Sequence, residues 1–181
     1  MLLKKFFTKN NIMESSIIVN SSTTDFFKLV NNPIKFRLFL LQKLPAAYFS
    51  GLRVEEVNEE TAIISVPFKW FTKNPFRSTY FACLSMAAEM STGILGMANI
   101  YKSKPAVSML IVGMEAKFYK KAIGKTKFVC KDGLVIKDSI QNSISTSQSQ
   151  TITAKSTGYN SDNEMVAEFL FTWSFKAKGI N

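Results

Sequence analysis

One segment constrains the fold of this chain more than any other. Residues 78–101 contain a single charged side chain, Glu89, and are otherwise apolar or small. A helix that is apolar on nearly every side is one enclosed by protein, so the pattern predicts a buried helix over residues 79–99. The acid and the many Ala, Gly, Ser and Thr residues suit burial in protein better than lipid, and no membrane span is predicted.

Strand patterns lie on both sides of this helix. Before it, residues 52–57 and 61–67 flank the acidic turn at residues 58–60 and predict a hairpin. After it, four further strands are predicted, at residues 107–119, 125–131, 148–157 and 164–176. Residues 132–147 fit either a short helix or a continued strand, and we favour an insertion. The sequence therefore predicts an α+β fold with a six-stranded antiparallel sheet.

The length of 181 residues fits one domain. Residues 1–24 are rich in Asn, Ser, Thr and Lys and predict a flexible N-terminal arm. Residues 25–181 are predicted to form a single domain that begins with a helical segment, residues 25–48. In that segment Asn32 and Pro33 are typical of a helix start and precede a basic amphipathic helix at residues 34–44.

Histidine is absent from the chain. Nucleophilic triads, histidine acid–base catalysis and most zinc or iron sites are therefore excluded, since each depends on imidazole. Cys83 and Cys130 are the only cysteines, and their surroundings lack metal or redox spacing. No metal and no cofactor are predicted. Two cysteines and a start without the apolar core of a signal peptide lead us to expect a cytoplasmic protein.

The sequence at residues 74–89, Asn-Pro-Phe-Arg-Ser-Thr-Tyr-Phe-Ala-Cys-Leu-Ser-Met-Ala-Ala-Glu, resembles the loop and helix entry of hotdog-fold thioesterases. It is most similar to a poorly characterised branch of that superfamily, and the wider resemblance covers residues 52–176. In the phenylacetyl-coenzyme-A type, an Asn precedes His-Gly-Gly at the helix start and an acid follows two turns later. Tyr80, Phe81 and Ala82 stand here in place of His-Gly-Gly, and Glu89 in place of the acid.

The resemblance implies a curved sheet wrapped round the central helix and pairing of chains as a homodimer or dimer of dimers. It also implies an acyl-coenzyme-A thioester as substrate. Glu89 would attack the thioester or activate water, while the amides of Phe81 and Ala82 would receive the developing oxyanion beside Asn74. An acid in so apolar a segment is expected to have a raised pKa, which suits a general base near neutrality.

Other polar residues are candidates for substrate binding. Ser85 and Thr92 lie within one helical turn of Glu89, and Tyr80 opens the helix. Lys117, Lys120 and Lys121 belong to a lysine cluster that we interpret as a site for the phosphates of coenzyme A. Each has a structural alternative: Glu89 in a structural hydrogen bond, Asn74 as a turn residue, the hydroxyls bonded to their own helix, and the lysines on a solvated strand.

Three functions remain open at this point. The leading hypothesis is hydrolysis of an acyl thioester. The second is a non-catalytic protein that binds acyl-coenzyme A or a fatty acyl chain. The third, prompted by the net charge of +10, is a basic module that docks on nucleic acid or a membrane surface through its lysines and the helix at residues 34–44. No recognised nucleic-acid motif is present, so no specific nucleic-acid partner is predicted.

Overall fold

The computed structural model describes residues 21–179. Five α-helices lie within this range: α1 (Ser21–Val30), α2 (Pro33–Lys43), α3 (Pro45–Ser50), α4 (Phe81–Ile100) and α5 (Gly133–Thr146). Six strands accompany them: β1 (Arg53–Val57), β2 (Ala62–Val66), β3 (Val107–Phe118), β4 (Thr126–Cys130), β5 (Gln150–Tyr159) and β6 (Met165–Ala177). A short 3-10 turn, Trp70–Thr72, precedes α4.

All six strands form one antiparallel sheet in the order β1-β2-β4-β5-β6-β3. Each strand begins and ends within two residues of its predicted bounds. The helix α4 begins at Phe81, two residues after the predicted start at residue 79. The α+β architecture predicted from the sequence is therefore the one that the structure has.

The central helix α4 and the strand β6 form the core of the molecule. α4 packs on β2, β4, β5 and β6, and twelve of its residues are buried. β6 turns Phe169, Phe171, Trp173 and Phe175 inward, as its alternation predicts. Phe169 stacks on Phe171 with ring centroids 5.9 Å apart and meets the edge of Phe128 at 5.7 Å. Burial of these aromatic rings is a large source of stabilisation for a domain of this size.

The N-terminal helices add a layer on α4. The side chain of Asn32 accepts hydrogen bonds from the amides of Ile34 and Lys35, at 3.1 and 3.0 Å, and so caps α2 as predicted. α1 packs on α4, and its Phe26 ring lies 5.4 Å from that of Tyr101. α1 begins at Ser21, so the last four residues of the predicted arm are helical; residues 1–20 of that arm lie outside the described residues.

The ambiguous segment at residues 132–147 is the helix α5 rather than a continued strand. Ile136, Ile140 and Ser143 are buried at helical spacing, whereas Leu134 and Val135 are exposed. α5 packs against α4, β5 and β6, and the hydroxyl of Ser143 accepts a hydrogen bond from the Ala177 amide at 2.9 Å. The helix therefore closes one side of the sheet.

Among the described helices, α4 alone is long and apolar enough to cross a bilayer on length and composition. Two-thirds of its most apolar window, 67%, is buried inside the protein, which is the property of a core helix.

Candidate functional site

Glu89 lies midway along α4, on the wall of an apolar cavity of about 370 Å³. α1 and α2 form one side of this cavity, and α4, β3 and β6 form the other. The residues that line it are Phe26, Leu29, Val30, Phe36, Phe39, Leu44, Glu89, Met90, Gly93, Ile94, Met97, Ile100, Met109 and Trp173. Glu89 is the single charged group in this lining. An apolar ligand bound in this cavity would therefore contact one carboxylate, that of Glu89.

The apolar surroundings change the acidity of Glu89. Burial raises the pKa of this carboxyl from 4.5 to about 7, because desolvation disfavours the charged form. Within residues 21–179 no hydrogen bond or cation offsets that effect. The carboxyl therefore exchanges its proton near neutral pH, as the sequence led us to expect, which is the acidity that general-base chemistry requires.

Gly93 makes room for the carboxylate. A Cβ added at Gly93 would lie 3.1 Å from Glu89 Oε1 and 3.4 Å from two ring atoms of Trp173. The acid therefore lies over the glycine and beside the indole edge. The indole is itself fixed, because Trp173 Nε1 donates to Thr92 Oγ1 at 2.9 Å and Thr92 donates to the Glu89 carbonyl at 2.9 Å. Thr92 is fully buried and positions Trp173 rather than facing the cavity.

The start of α4 supplies free backbone donors. The Tyr80 amide donates to the Thr72 carbonyl at 2.7 Å, and no side chain caps the helix. In the described part of the chain the amides of Phe81 and Ala82 have no acceptor. These two amides are donors at the positive end of a helix dipole, which is the arrangement that we expected from the sequence for binding an oxyanion.

Glu89 and these amides do not meet within one chain. Eight residues separate Phe81 from Glu89 on the same helix, which corresponds to about 12 Å along its axis. One reacting carbonyl cannot contact both, since its attacking group and its oxygen donors must lie about 3 Å from it. A complete site of the predicted kind needs a second copy of α4.

Asn74 holds the loop before α4. Its Oδ1 accepts hydrogen bonds from the amides of Phe76 and Ser78 at 3.0 and 3.2 Å, and its Nδ2 donates to Ser78 Oγ at 3.1 Å. The side chain is thus engaged within its own turn. Asn74, Tyr80, Phe81, Lys120 and Lys121 nevertheless line one cavity of about 480 Å³. The structure therefore divides the predicted residues between this loop cavity and the cavity at Glu89.

The remaining candidates are dispersed. Lys117 is opposite Glu168 in the β3–β6 register, on the sheet face away from Phe169, so it does not join Lys120 and Lys121. Lys120 is paired with Glu164. Ser85 contacts Met114 on β3, with Oγ 3.6 Å from the sulfur.

β3 forms an exposed edge next to these elements. Within residues 21–179 no strand pairs with its outer side, and Leu110, Val112, Met114 and Phe118 are all more than half exposed. α4 runs beside this strand, since Ser85 lies against Met114 and a Cβ at Gly96 would meet Met109. Glu89 is between those two contacts on the helix, on the side of α4 that follows the open edge.

Two features of the cavity at Glu89 were not predicted from the sequence. α1 and α2 supply five of its lining residues and Leu44, the C-cap of α2, supplies a sixth, whereas the sequence indicated only an amphipathic helix at residues 34–44. Trp173 was predicted to face inward, but nothing in the sequence indicated its bond to Thr92. No group of three or more His, Cys, Asp or Glu side chains is placed to hold a metal ion in the described range.

Comparison with known proteins identifies the fold. Residues 35–174 match the family model described as "Domain of unknown function (DUF4442)". No curated protein matches the sequence. A Pseudomonas aeruginosa protein of unknown function, described as a probable thioesterase, has a TM-score of 0.67 at 18% identity, over 81% of this chain and 97% of its own.

Two further solved structures are similar. A mutant thioesterase from Pseudomonas aeruginosa has a TM-score of 0.60 at 15% identity, over 79% of this chain and 94% of its own. A thioesterase from Haemophilus influenzae has a TM-score of 0.54 at 14% identity, over 77% and 88%. These likenesses show that the six-stranded sheet and central helix are the hotdog fold of thioesterase-like proteins.

Proposed function

This chain belongs to the DUF4442 family and has a hotdog fold, and we propose from its site that it hydrolyses acyl thioesters, with acyl-coenzyme A as the substrate. One observation is the main support. The hotdog helix holds a single carboxyl, Glu89, on the wall of an apolar cavity; burial raises its pKa to about 7, and it has no hydrogen bond or ion pair within residues 21–179. A cavity of this composition suits an acyl chain, and a carboxylate at its wall suits attack on the carbonyl at the end of that chain.

In the proposed reaction Glu89 removes a proton from water, and the hydroxide oxygen forms a bond to the thioester carbonyl carbon. The carbonyl electrons move to oxygen, and backbone amides at an α4 start stabilise that charge. The C–S bond then breaks, the electron pair leaves with sulfur, and the Glu89 acid returns its proton to the thiolate. The products are a carboxylic acid and a free thiol. Direct attack by Glu89, through an anhydride that water opens, gives the same products.

The second copy of α4 is proposed to come from a homodimer. The amides of Phe81 and Ala82 are about 12 Å from Glu89 along the helix, so the two functions must be contributed by different chains. β3 is the edge at which chains would pair, because it is long, apolar and open on its outer side in the part of the chain described. A dimer of dimers also fits this proposal, because each chain would use its β3 edge once, within its own dimer.

Lys120 and Lys121 are proposed to bind the coenzyme A phosphates. Both line the cavity that also contains Asn74 and Phe81, at the helix start where the thioester carbonyl would lie. Lys117 is on the other sheet face and contributes only to the general positive field. The cytoplasmic location predicted from the cysteines fits a coenzyme A substrate and remains part of this proposal.

Release of free thiol from a panel of acyl-coenzyme-A chain lengths tests the proposal. We expect turnover that Glu89→Gln lowers by at least about a hundredfold, the contribution typical of a general base. Glu60→Gln is the matched control, since it makes the same chemical change in the exposed β1–β2 hairpin. Absence of turnover with every chain length, or turnover that survives in Glu89→Gln, would show that this carboxyl does not hydrolyse thioesters.

A second candidate function is binding of an acyl chain without hydrolysis. It is favoured by Phe81 and Ala82, which stand where the related pattern has two glycines and narrow the approach of a carbonyl to the backbone amides. Mass spectrometry of acyl species that co-purify with the protein distinguishes the two functions. A stably bound acyl-coenzyme A that is not cleaved, in wild type and Glu89→Gln alike, selects the binding function.

A further inference from the structure

Charge is sharply segregated in the first half of the chain. Residues 26–54 and 61–88 contain no acidic side chain, yet they contain eight basic ones: Lys28, Lys35, Arg37, Lys43, Arg53, Lys69, Lys73 and Arg77. Among the described residues only Lys28 of these makes an ion pair, with Asp25. The intervening residues 55–60 contain four acids, Glu55, Glu56, Glu59 and Glu60, so the excess of positive charge lies on either side of the β1–β2 turn and not within it.

The same half exposes a stripe of large apolar side chains on α2. Ile34, Leu38 and Leu41 follow one another at helical spacing and are 73%, 55% and 43% exposed. They lie opposite Phe36 and Leu40, which are buried. α2 thus has two apolar sides, one packed in the protein and one that residues 21–179 leave exposed, and an exposed apolar stripe of this kind indicates an interaction surface.

The stripe lines a cleft whose rim residue, Lys69, directly precedes an aromatic turn. Ile34, Leu38 and Leu41 line a cleft of about 980 Å³ between α2 and the β1–β2 hairpin, and Lys69 lies on its rim. Trp70 follows Lys69 and is 81% exposed, and the adjacent Phe71 is half exposed. We call these six residues, Ile34, Leu38, Leu41, Lys69, Trp70 and Phe71, the α2 face.

We propose that the α2 face docks on an anionic lipid bilayer. Aliphatic and indole side chains enter the boundary between head groups and acyl chains, while surrounding cations are attracted to anionic head groups. The one acid in the lining of the cleft, Glu55, pairs with Lys125 at 3.2 Å, so Arg37, Arg53 and Lys69 leave the cleft with a net positive charge. Arg53 and Lys69 supply donors for lipid phosphates. A second copy of the chain is a poor occupant, because it would bring a second net positive cleft against the first.

The proposed docking has a consequence for the cavity at Glu89. The packed side of α2 contributes Phe36 and Phe39 to that cavity, while its outer side carries Ile34, Leu38 and Leu41 of the α2 face. One helix thus separates the bilayer from the acyl cavity. An acyl chain leaving the bilayer would have to pass little more than the thickness of α2, which is about 10 Å.

Tryptophan fluorescence provides a direct test with the full chain. The two tryptophans differ, since Trp70 is 81% exposed and Trp173 is 5% exposed. We expect vesicles that contain phosphatidylglycerol to shift the emission to shorter wavelength, whereas vesicles of phosphatidylcholine alone do not. Trp70→Phe should abolish the shift, because Trp173 is already buried.

Paired variants test the charge and the apolar stripe separately. Arg53→Glu with Lys69→Glu should weaken partitioning onto anionic vesicles by about 25-fold or more, from about fivefold for each basic charge near the surface. Its control, Lys176→Glu with Lys178→Glu, makes the same change in net charge at the end of β6. Leu38→Ser should weaken binding. Leu134→Ser on α5 should not, although Leu134 is 47% exposed against 55% for Leu38.

Several results would overturn the proposal. One is that anionic vesicles cause no emission shift at low salt. Another is that the α2 face variants and their controls lose equal amounts of vesicle binding. A third is that the protein does not bind vesicles but forms an oligomer that Leu38→Ser dissociates. Competition by an oligonucleotide as effective as the vesicles would assign the surface to nucleic acid instead. Vesicle binding is measured without acyl-coenzyme A, and hydrolysis without vesicles, so each proposal fails independently.

Discussion

Replacing Glu89 by Gln should make the protein more stable at alkaline pH and leave its stability at acid pH nearly unchanged. The carboxyl has a pKa of about 7 in the folded protein, against 4.5 without the effect of burial. Below pH 4.5 the folded and unfolded chains both carry the proton, and the group has no effect on stability. Between pH 4.5 and 7 the folded chain binds more protons than the unfolded one, so the free energy of unfolding falls as pH rises.

The size of the effect follows from the two pKa values. At ~1.4 kcal/mol for each pH unit, the folded protein loses about 3 kcal/mol by pH 8. Glu89→Gln retains the shape of the side chain and does not ionise, so it avoids this loss. The difference between the two proteins should therefore grow by about 3 kcal/mol from pH 4.5 to pH 8. With ~2 kcal/mol per molar urea for a small protein, that is a rise of about 1.5 M in the unfolding midpoint.

Urea unfolding followed by circular dichroism measures this difference directly. Wild type, Glu89→Gln and the hairpin control Glu60→Gln are compared at several values between pH 4.5 and 8. The control should follow the wild-type curve to within a few tenths of a kcal/mol, as an exposed substitution does. Parallel curves for wild type and Glu89→Gln would refute the reasoning, since they would mean that the carboxyl is solvated or paired.

Three further predictions concern packing and assembly. Thr92→Val should lower stability by about 1–3 kcal/mol in thermal unfolding, because it leaves the buried Trp173 indole N–H without its acceptor. Thr92→Ser keeps a hydroxyl and should lower stability much less. Gly133→Ala should lower stability by at least about 1–3 kcal/mol, because its Cβ would overlap the Glu59 carbonyl oxygen and the backbone of Glu60, and chemical unfolding should detect the loss. Met114→Lys should shift light-scattering mass from dimer to monomer if β3 is the pairing edge, and an unchanged mass would place the interface elsewhere.

Much of the fold could be predicted because it follows from local periodicity. The alternation of β6 placed Phe169, Phe171 and Trp173 on one face, and the structure buries all three. The cap at Asn32 was equally local, since it depends on residues two and three positions away. The segment of α5 was harder, because its apolar residues satisfy two periods and only packing against α4 and the sheet selects the helix.

The site could be predicted only in part. The sequence by itself determined that a lone carboxyl, Glu89, lies in an apolar helix, since this requires only the identity of its neighbours. The tertiary structure decided which way that carboxyl faces, that α1 and α2 wall its cavity, and that Trp173 and Gly93 border it. These features depend on helix rotation and on contacts between residues far apart in the chain, and neither leaves a periodic signal in the sequence.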